Sequence, residues 1–96
     1  MIAHPVNGEL TFKTVSEQWH SSAGLFAKNS EFTIDLSGVT RADSAGLALL
    51  IGWIRRAKQE HKSIYFKNIP ANLLAIARVT GVDAILAEFA PPAGGS

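Results

Sequence analysis

The sequence contains no cysteine, and this absence excludes several kinds of site at once. Without a thiol the chain forms no disulfide, holds no thiolate-ligated zinc and has no cysteine nucleophile. Charge is also scarce, since nine basic and eight acidic side chains give a formal net charge of +1. A domain whose main partner is nucleic acid usually carries a clustered basic excess, so this balance argues against nucleic-acid binding.

Long hydrophobic runs are missing as well. The longest apolar run, 45–54, has ten residues and includes two glycines, whereas a membrane-spanning helix needs about 20. The N-terminus has no basic stretch followed by an apolar segment, so it does not resemble a secretory signal. We therefore expect a cytoplasmic protein that does not insert directly into a membrane.

The apolar residues that are present suffice for one small core. The 96 residues are 47% hydrophobic and 18% charged, a balance typical of a globular domain and not of a disordered chain. Chains of about 100 residues usually fold as a single domain. We expect one domain over residues 1–90 and a flexible tail over 91–96, where proline, alanine and glycine predominate.

The first third of the chain is predicted to contain two strands and a helix. Asn7-Gly8 is a turn pair that favours a hairpin between a short strand over 1–6 and a second strand over 9–12. Thr14 and Glu17 have the spacing of a capping box, in which each side chain satisfies the other residue's unpaired amide. This signal predicts a helix that begins there and ends near residue 27.

The rest of the chain alternates between strand and helix more clearly. The predicted elements are a strand over 32–36, a polar connection over 37–42, a helix over 43–59, a strand over 63–66, a helix from 70 that ends at Gly81, and a short final helix over 82–89. The strand over 32–36 is β-branched and largely apolar, as suits a central strand. Alternation of this kind predicts an α/β domain with largely parallel central strands.

The start of the long helix is the candidate functional segment. In an open α/β sheet, binding sites usually lie outside the carboxyl ends of the strands. Asp43 is placed to cap the helix by accepting from the amides of Ala45 or Gly46, which leaves the Ser44 hydroxyl free in the first turn. Gly46 lacks a side chain and so permits the close approach of a neighbouring backbone. Capping and packing alone would also explain these residues.

Several segments resemble the STAS family, which takes its name from sulfate transporters and anti-sigma-factor antagonists. The resemblance rests mainly on Asp35–Ser37 and on Asp43–Leu50, which reads Asp-Ser-Ala-Gly-Leu-Ala-Leu-Leu. Gly8–Phe12 and Leu73–Val82 are similar to the family's opening strand and late helix. The resemblance covers about residues 7–87 in the expected order. It implies a STAS-type mixed β-sheet with about four helices packed mainly on one side.

The residue after Ser44 decides which branch of the family the chain resembles. Antagonists of anti-sigma kinases resemble Asp-Ser-Ser-Gly or Asp-Ser-Thr-Gly, and the second hydroxyl residue is the one that is phosphorylated. This chain has Ala45 there, which cannot accept phosphate. Ser44 and the Gly46–Leu50 run are instead similar to the MlaB-like branch. Members of that branch bind the cytoplasmic ATPase of an ABC system that moves phospholipid between the Gram-negative membranes.

The resemblance to this branch implies a partner and a location. The partner is an ABC-transporter ATPase subunit similar to MlaF, and the chain associates peripherally with the inner membrane through it, in support of outer-membrane lipid asymmetry. The alternative is an anti-sigma-factor antagonist that binds an anti-sigma kinase, with Ser44 as the candidate site of phosphorylation. In either case the expected partner-binding surface includes Asp43, Ser44, Ala45 and Gly46.

The long helix adds a second candidate region for the partner surface. A stripe that faces the core is formed at i, i+3, i+4 and i+7 by Leu47, Leu50, Ile51 and Ile54. On the helical wheel, Leu49 and Trp53 fall on roughly the opposite side, near Ala45 and Arg56. Because tryptophan and arginine are enriched at interface hot spots, we expect Leu49, Trp53 and Arg56 to contact the partner. The alternative is that Trp53 packs sideways against the helix from Pro70.

The sequence shows no constellation of catalytic or metal-binding residues. The three histidines, His4, His20 and His61, lie in different predicted elements without ligand spacing. Asp43 and Ser44 are adjacent, but a serine nucleophile needs a base that is held by a third group. We therefore expect a non-catalytic protein without a metal or another cofactor.

Overall fold

The computed structural model describes residues 2–92. Its elements are, in chain order, β1 (Ile2–Leu10), α1 (Val15–Ser21), α2 (Ala23–Lys28), β2 (Glu31–Ala42), α3 (Ser44–Gln59), β3 (Ser63–Lys67), α4 (Ala71–Thr80) and α5 (Asp83–Ala87). The positions of α3, β3 and α4 confirm the predictions for them. Gly81 ends α4 in a left-handed conformation with φ 81°, as predicted. The predicted tail over 91–96 lies mostly outside the described residues.

Three parallel strands form the sheet, in the order β1-β2-β3. β2 lies in the centre, where Phe32 pairs with Ile2 on one side and with Ile64 on the other. Alternate residues of β2, namely Phe32, Ile34 and Leu36, are buried and join the apolar side chains of the helices in one core. The predicted α/β fold with parallel central strands is confirmed.

The predicted hairpin at Asn7-Gly8 is wrong, because β1 is one continuous strand. Gly8 does have a positive φ of 85°, but it does not reverse the chain. The parallel pairing of β1 with β2 instead shifts register just before Asn7 and just after Gly8. β2 extends to Ala42 and pairs with the second half of β1 up to Leu10. Residues 37–42 are therefore strand and not the predicted polar connection.

The predicted single helix up to residue 27 is divided at Ser22 into α1 and α2. The Ser22 side chain is fully buried. Its Oγ donates to the backbone O of Trp19 at 2.7 Å and accepts from the indole Nε1 of Trp53 at 2.9 Å. A serine hydroxyl that bonds to the preceding turn competes with regular helix geometry, and this contact coincides with the break.

The predicted capping box of Thr14 and Glu17 does not form, since the Thr14 side chain makes no bond to the α1 amides. Thr14 Oγ1 instead accepts from Thr11 N at 3.0 Å and donates to Glu9 O at 2.9 Å. The backbone amides of Thr14 and Val15 both donate to Thr11 O, at 2.9 and 3.0 Å. These bonds close a tight turn between β1 and α1, which we call the 11–14 turn.

More of α3 is buried than the one stripe that the sequence predicted. The helix packs on β2 and β3 and lies between α1 and α4. Trp53 is fully buried, its ring stacked on Phe66 at 6.5 Å between centroids, and Leu49 is buried too. The prediction that Leu49 and Trp53 lie opposite the core is therefore wrong. Because helices flank α3 on both sides, only a narrow strip of it reaches the surface.

Candidate partner-docking site

Asp43 caps α3 as the sequence predicted. Its Oδ1 accepts from Ala45 N at 2.9 Å and from Gly46 N at 3.4 Å. Its Oδ2 accepts from the backbone N of Phe12, 3.3 Å away. The carboxylate therefore joins the start of α3 to the 11–14 turn, although Phe12 and Asp43 are 31 positions apart in the sequence.

Gly46 lets α3 approach the end of β1, and this confirms the prediction from its missing side chain. A Cβ at this position would overlap the backbone O of Leu10 and would lie 3.2 Å from Leu10 Cγ. The same Leu10 carbonyl accepts from Asp43 N at 3.3 Å. Gly46 is itself buried, so it contributes to the candidate docking site only by positioning the residues around it.

Ser44 is the exposed polar residue at this junction. It is the first residue of α3, and among residues 2–92 its hydroxyl has no hydrogen-bond partner. Ala45, which follows, is half-buried and offers no hydroxyl. The Ser44 hydroxyl is thus a free donor and acceptor at a fixed helix terminus, where it is suited to bonding with the backbone of another protein.

Two open apolar grooves extend along α3 from its first turn, on either side of a ridge formed by Ala48 and Gly52. The first groove lies between α3 and the C-terminal end of α4 with the segment that follows it, and has a volume of about 390 Å³. Among the described residues that line it, Arg55 is the one that is charged. The second groove lies between α3 and α1, has a volume of about 360 Å³, and is lined in part by Leu49 and Trp19.

The structure brings together only some of the predicted partner-binding residues. Asp43, Ser44 and Ala45 lie at the start of α3, whereas Trp53 lies in the core and Leu49 contributes only a small exposed area to the second groove. Arg56 is half-buried and held within the chain. Its Cζ lies 4.7 Å from the centre of the Phe26 ring and 5.5 Å from that of Trp19, and its Nε lies 2.8 Å from Glu60 Oε2.

The α3 residues that reach the surface beside the two grooves were, apart from Ser44, not predicted. We call this set the α3 face, and it consists of Ser44, Ala48, Ile51, Gly52 and Arg55. Ile51 was assigned to the core stripe but is only half-buried. The spacing of these residues is itself helical, yet alanine and glycine carry no hydrophobic or charge signal, so the sequence alone did not distinguish them. Gly52 also leaves room for Trp19, whose Cζ3 would lie 3.3 Å from a Cβ there.

Asp35, from the Asp-Leu-Ser segment, lies on the opposite face of β2 from the core residues Ile34 and Leu36. Its Oδ1 accepts from Asn68 Nδ2 and from Ser37 N, both at 3.0 Å. The bonds from Asn68 and Ser37 hold the pKa of Asp35 below its usual 3.8. Asp35 is therefore ionised at neutral pH and ties β2 to the turn after β3, which is a structural role.

Within residues 2–92, no group of three or more histidine or acidic side chains is placed to hold a metal ion. His4 lies in β1, His20 in α1 and His61 in the turn after α3. In this described part of the chain, none of the helices combines the length and the apolar character that crossing a membrane requires.

Comparisons with known proteins show what the chain is similar to. A family model described as "Mlab, STAS domain" matches residues 5–88, while no curated protein sequence matches. A solved structure of a sulfate transporter family protein from Wolinella succinogenes has a TM-score of 0.67 and 14% identity, covering 91% of this chain and 72% of that chain. The anti-sigma factor antagonist SpoIIAA in its unphosphorylated form has a TM-score of 0.61 and 13% identity, covering 86% of each chain. At these identities the two structures show a shared fold.

Proposed function

Because the chain belongs to the MlaB-type STAS domain family, we propose that it is a non-catalytic subunit that binds the cytoplasmic ATPase of a phospholipid ABC transport system. In this role it supports or regulates the ATPase, contributes to outer-membrane lipid asymmetry, and lies at the inner membrane through its partner. The observation that carries the proposal is the exposed Ser44 hydroxyl at the capped start of α3, beside two apolar grooves, which has no hydrogen-bond partner in the described part of the chain.

The α3 face is better suited to a protein than to a small molecule. Small-molecule sites usually enclose most of the ligand surface, whereas both grooves here are open to solvent. Ala48 and Gly52 are small, so another backbone can approach α3 closely along the ridge between the grooves. Ser44 and Arg55 place polar groups at the two ends of this apolar strip, a distribution that resembles the apolar core and polar rim of protein interfaces.

Ala45 favours an ATPase partner over an anti-sigma kinase. The antagonists that the chain resembles carry a phosphorylated serine or threonine at this position, and alanine cannot take that modification. Phosphorylation adds a charge of about −1.5 to −2, and in an apolar interface this charge disrupts packing through its desolvation cost. Without that modification, a stable subunit interaction fits the sequence better than a regulated antagonist.

Replacement of Ser44 by arginine tests this proposal. We expect Ser44→Arg to abolish binding to the ATPase subunit, because a long charged side chain occupies the docking surface, with little change in Tm because Ser44 is exposed. Ser30→Arg is the matched control, since Ser30 is exposed before the first residue of β2, at the other end of that strand. This variant should bind as the unmodified chain does.

Co-purification of the tagged chain from its own cells identifies the partner. The proposal predicts an ABC ATPase in the eluate of the unmodified chain and of Ser30→Arg, and its absence from that of Ser44→Arg. Recovery of an anti-sigma kinase in place of the ATPase would contradict the proposal. Undiminished ATPase binding by a folded Ser44→Arg chain would show that docking uses another surface.

A further inference from the structure

We propose that Phe12 is an aromatic anchor of the partner interface and that it inserts into an apolar socket rimmed with carboxylates on the partner. This inference rests on the proposed function and adds to it a residue and the chemistry of the surface that receives it. The Phe12 side chain is 72% exposed. A single exposed apolar residue means little alone, but the backbone, the position and the charged neighbours of Phe12 all favour an anchor.

The 11–14 turn holds the backbone of Phe12 in a fixed conformation. Phe12 N donates to Asp43 Oδ2 at 3.3 Å. Around it, Thr11 N donates to Thr14 Oγ1 at 3.0 Å, and Thr14 N donates to Thr11 O at 2.9 Å. A residue that is already ordered loses less conformational entropy when a partner covers it, and an aromatic side chain has only two rotatable bonds to fix. The turn therefore presents the ring at a low entropic cost.

Phe12 lies beside the Ser44 end of the α3 face. Asp43, which directly precedes Ser44, bonds to the backbone of Phe12 and lines with it a surface pocket of about 350 Å³. This pocket lies at the carboxyl ends of β1 and β2, where binding sites of open α/β sheets are usually found. A protein that covers the Ser44 hydroxyl is therefore placed to cover the Phe12 ring as well.

The charged residues around Phe12 indicate the chemistry of the socket. The pocket is lined by two acidic and two basic residues, namely Glu9, Asp43, Lys13 and Arg41. Both acids are engaged within the chain, because Asp43 caps α3 and Glu9 Oε1 accepts from the Thr11 hydroxyl at 3.3 Å. Lys13 and Arg41 are exposed and form no ion pair among residues 2–92. These hydrogen bonds leave both carboxylates charged, but neither cation is paired with them, so Lys13 and Arg41 are free to pair with carboxylates around an apolar pocket of the partner.

Phe12→Ala tests the anchor in a titration against the purified ATPase subunit. We expect the affinity to fall at least about thirtyfold, which corresponds to about 2 kcal/mol at 1.4 kcal/mol per tenfold change. The Tm should be unchanged, because the ring is largely exposed. Ile2→Ala is the matched control, since Ile2 is 50% exposed at the opposite end of β1, and it should bind as the unmodified chain does.

The double variant Lys13→Glu/Arg41→Glu tests the acidic rim. It should slow association severalfold and reverse or flatten the dependence of the rate on salt, because steering by opposite charge is lost. An unchanged association rate and salt dependence would overturn the acidic rim.

The outcomes for Phe12 are separable from those for the proposed function. If Phe12→Ala binds the ATPase with undiminished affinity while Ser44→Arg loses binding, the anchor is overturned and the proposed function stands. Equal losses in Phe12→Ala and Ile2→Ala would overturn the anchor as well, because the effect would not be local. Failure of the unmodified chain to bind the ATPase would overturn both.

Discussion

The indole of Trp53 lies in the core because Ser22 offers its N–H an acceptor at 2.9 Å. A buried N–H without an acceptor costs about 1–3 kcal/mol, so a tryptophan needs such a partner if it is to be fully enclosed. Ser22 is equally buried, and its own hydroxyl donates to Trp19 O. The two side chains are 31 positions apart, so no local pattern indicates that they meet. This is why the helical wheel placed Trp53 on the wrong side of α3.

Ser22→Ala should therefore destabilise the fold by about 1–3 kcal/mol, since it leaves the Trp53 N–H buried without an acceptor. Trp53→Phe removes the donor, and the double variant should lose less than the sum of the two single losses. Urea unfolding of the four proteins measures these free energies. A Ser22→Ala chain within about 0.3 kcal/mol of the unmodified one, or strictly additive losses, would show that this hydrogen bond contributes little.

At the scale of elements, the sequence signals that predicted α3 well involve residues within one helical turn of each other. The Asp43 cap and the glycine at position 46 could be interpreted from neighbouring residues alone, and α3 starts where they indicate. Asn7-Gly8 favours a turn locally, but pairing with β2 along the whole of β1 is a long-range interaction that outweighs it. Beyond Ser44, the α3 face could not be predicted, because its exposure depends on α1 and α4, which cover the flanks of the helix.

The close contact of α3 with β1 can be tested at Gly46. Gly46→Ala should destabilise the protein by about 1–3 kcal/mol, because the new Cβ overlaps Leu10 O and α3 must shift. Gly24→Ala is the matched control, since a Cβ at this position of α2 meets nothing within 4 Å. It should raise stability by up to about 1 kcal/mol through helix propensity. Equal stabilisation of both variants in urea unfolding would contradict the close approach.

At the scale of the whole molecule, the arrangement of the helices leaves a small region at the start of α3 that is suited to docking. The sheet directs its buried side chains towards the helices, and two flanking helices cover most of α3. Beside Ser44, the exposed part of the long helix is the α3 face, and the 11–14 turn that Asp43 fixes lies next to it. Tertiary packing decides which residues of α3 are buried and which are exposed. The sequence could therefore predict the start of this surface at Ser44, but not its extent along α3.

Mapping the bound surface by NMR tests the docking account most directly. The ¹⁵N-labelled chain is titrated with the unlabelled ATPase subunit, and loss of each amide signal is followed. The account predicts that signals of the 11–14 turn and of Ser44, Ala48, Gly52 and Arg55 are lost first, while those of β3 (Ser63–Lys67) persist longest. Spectra that do not change in the presence of excess ATPase, or losses that begin in β3, would contradict it.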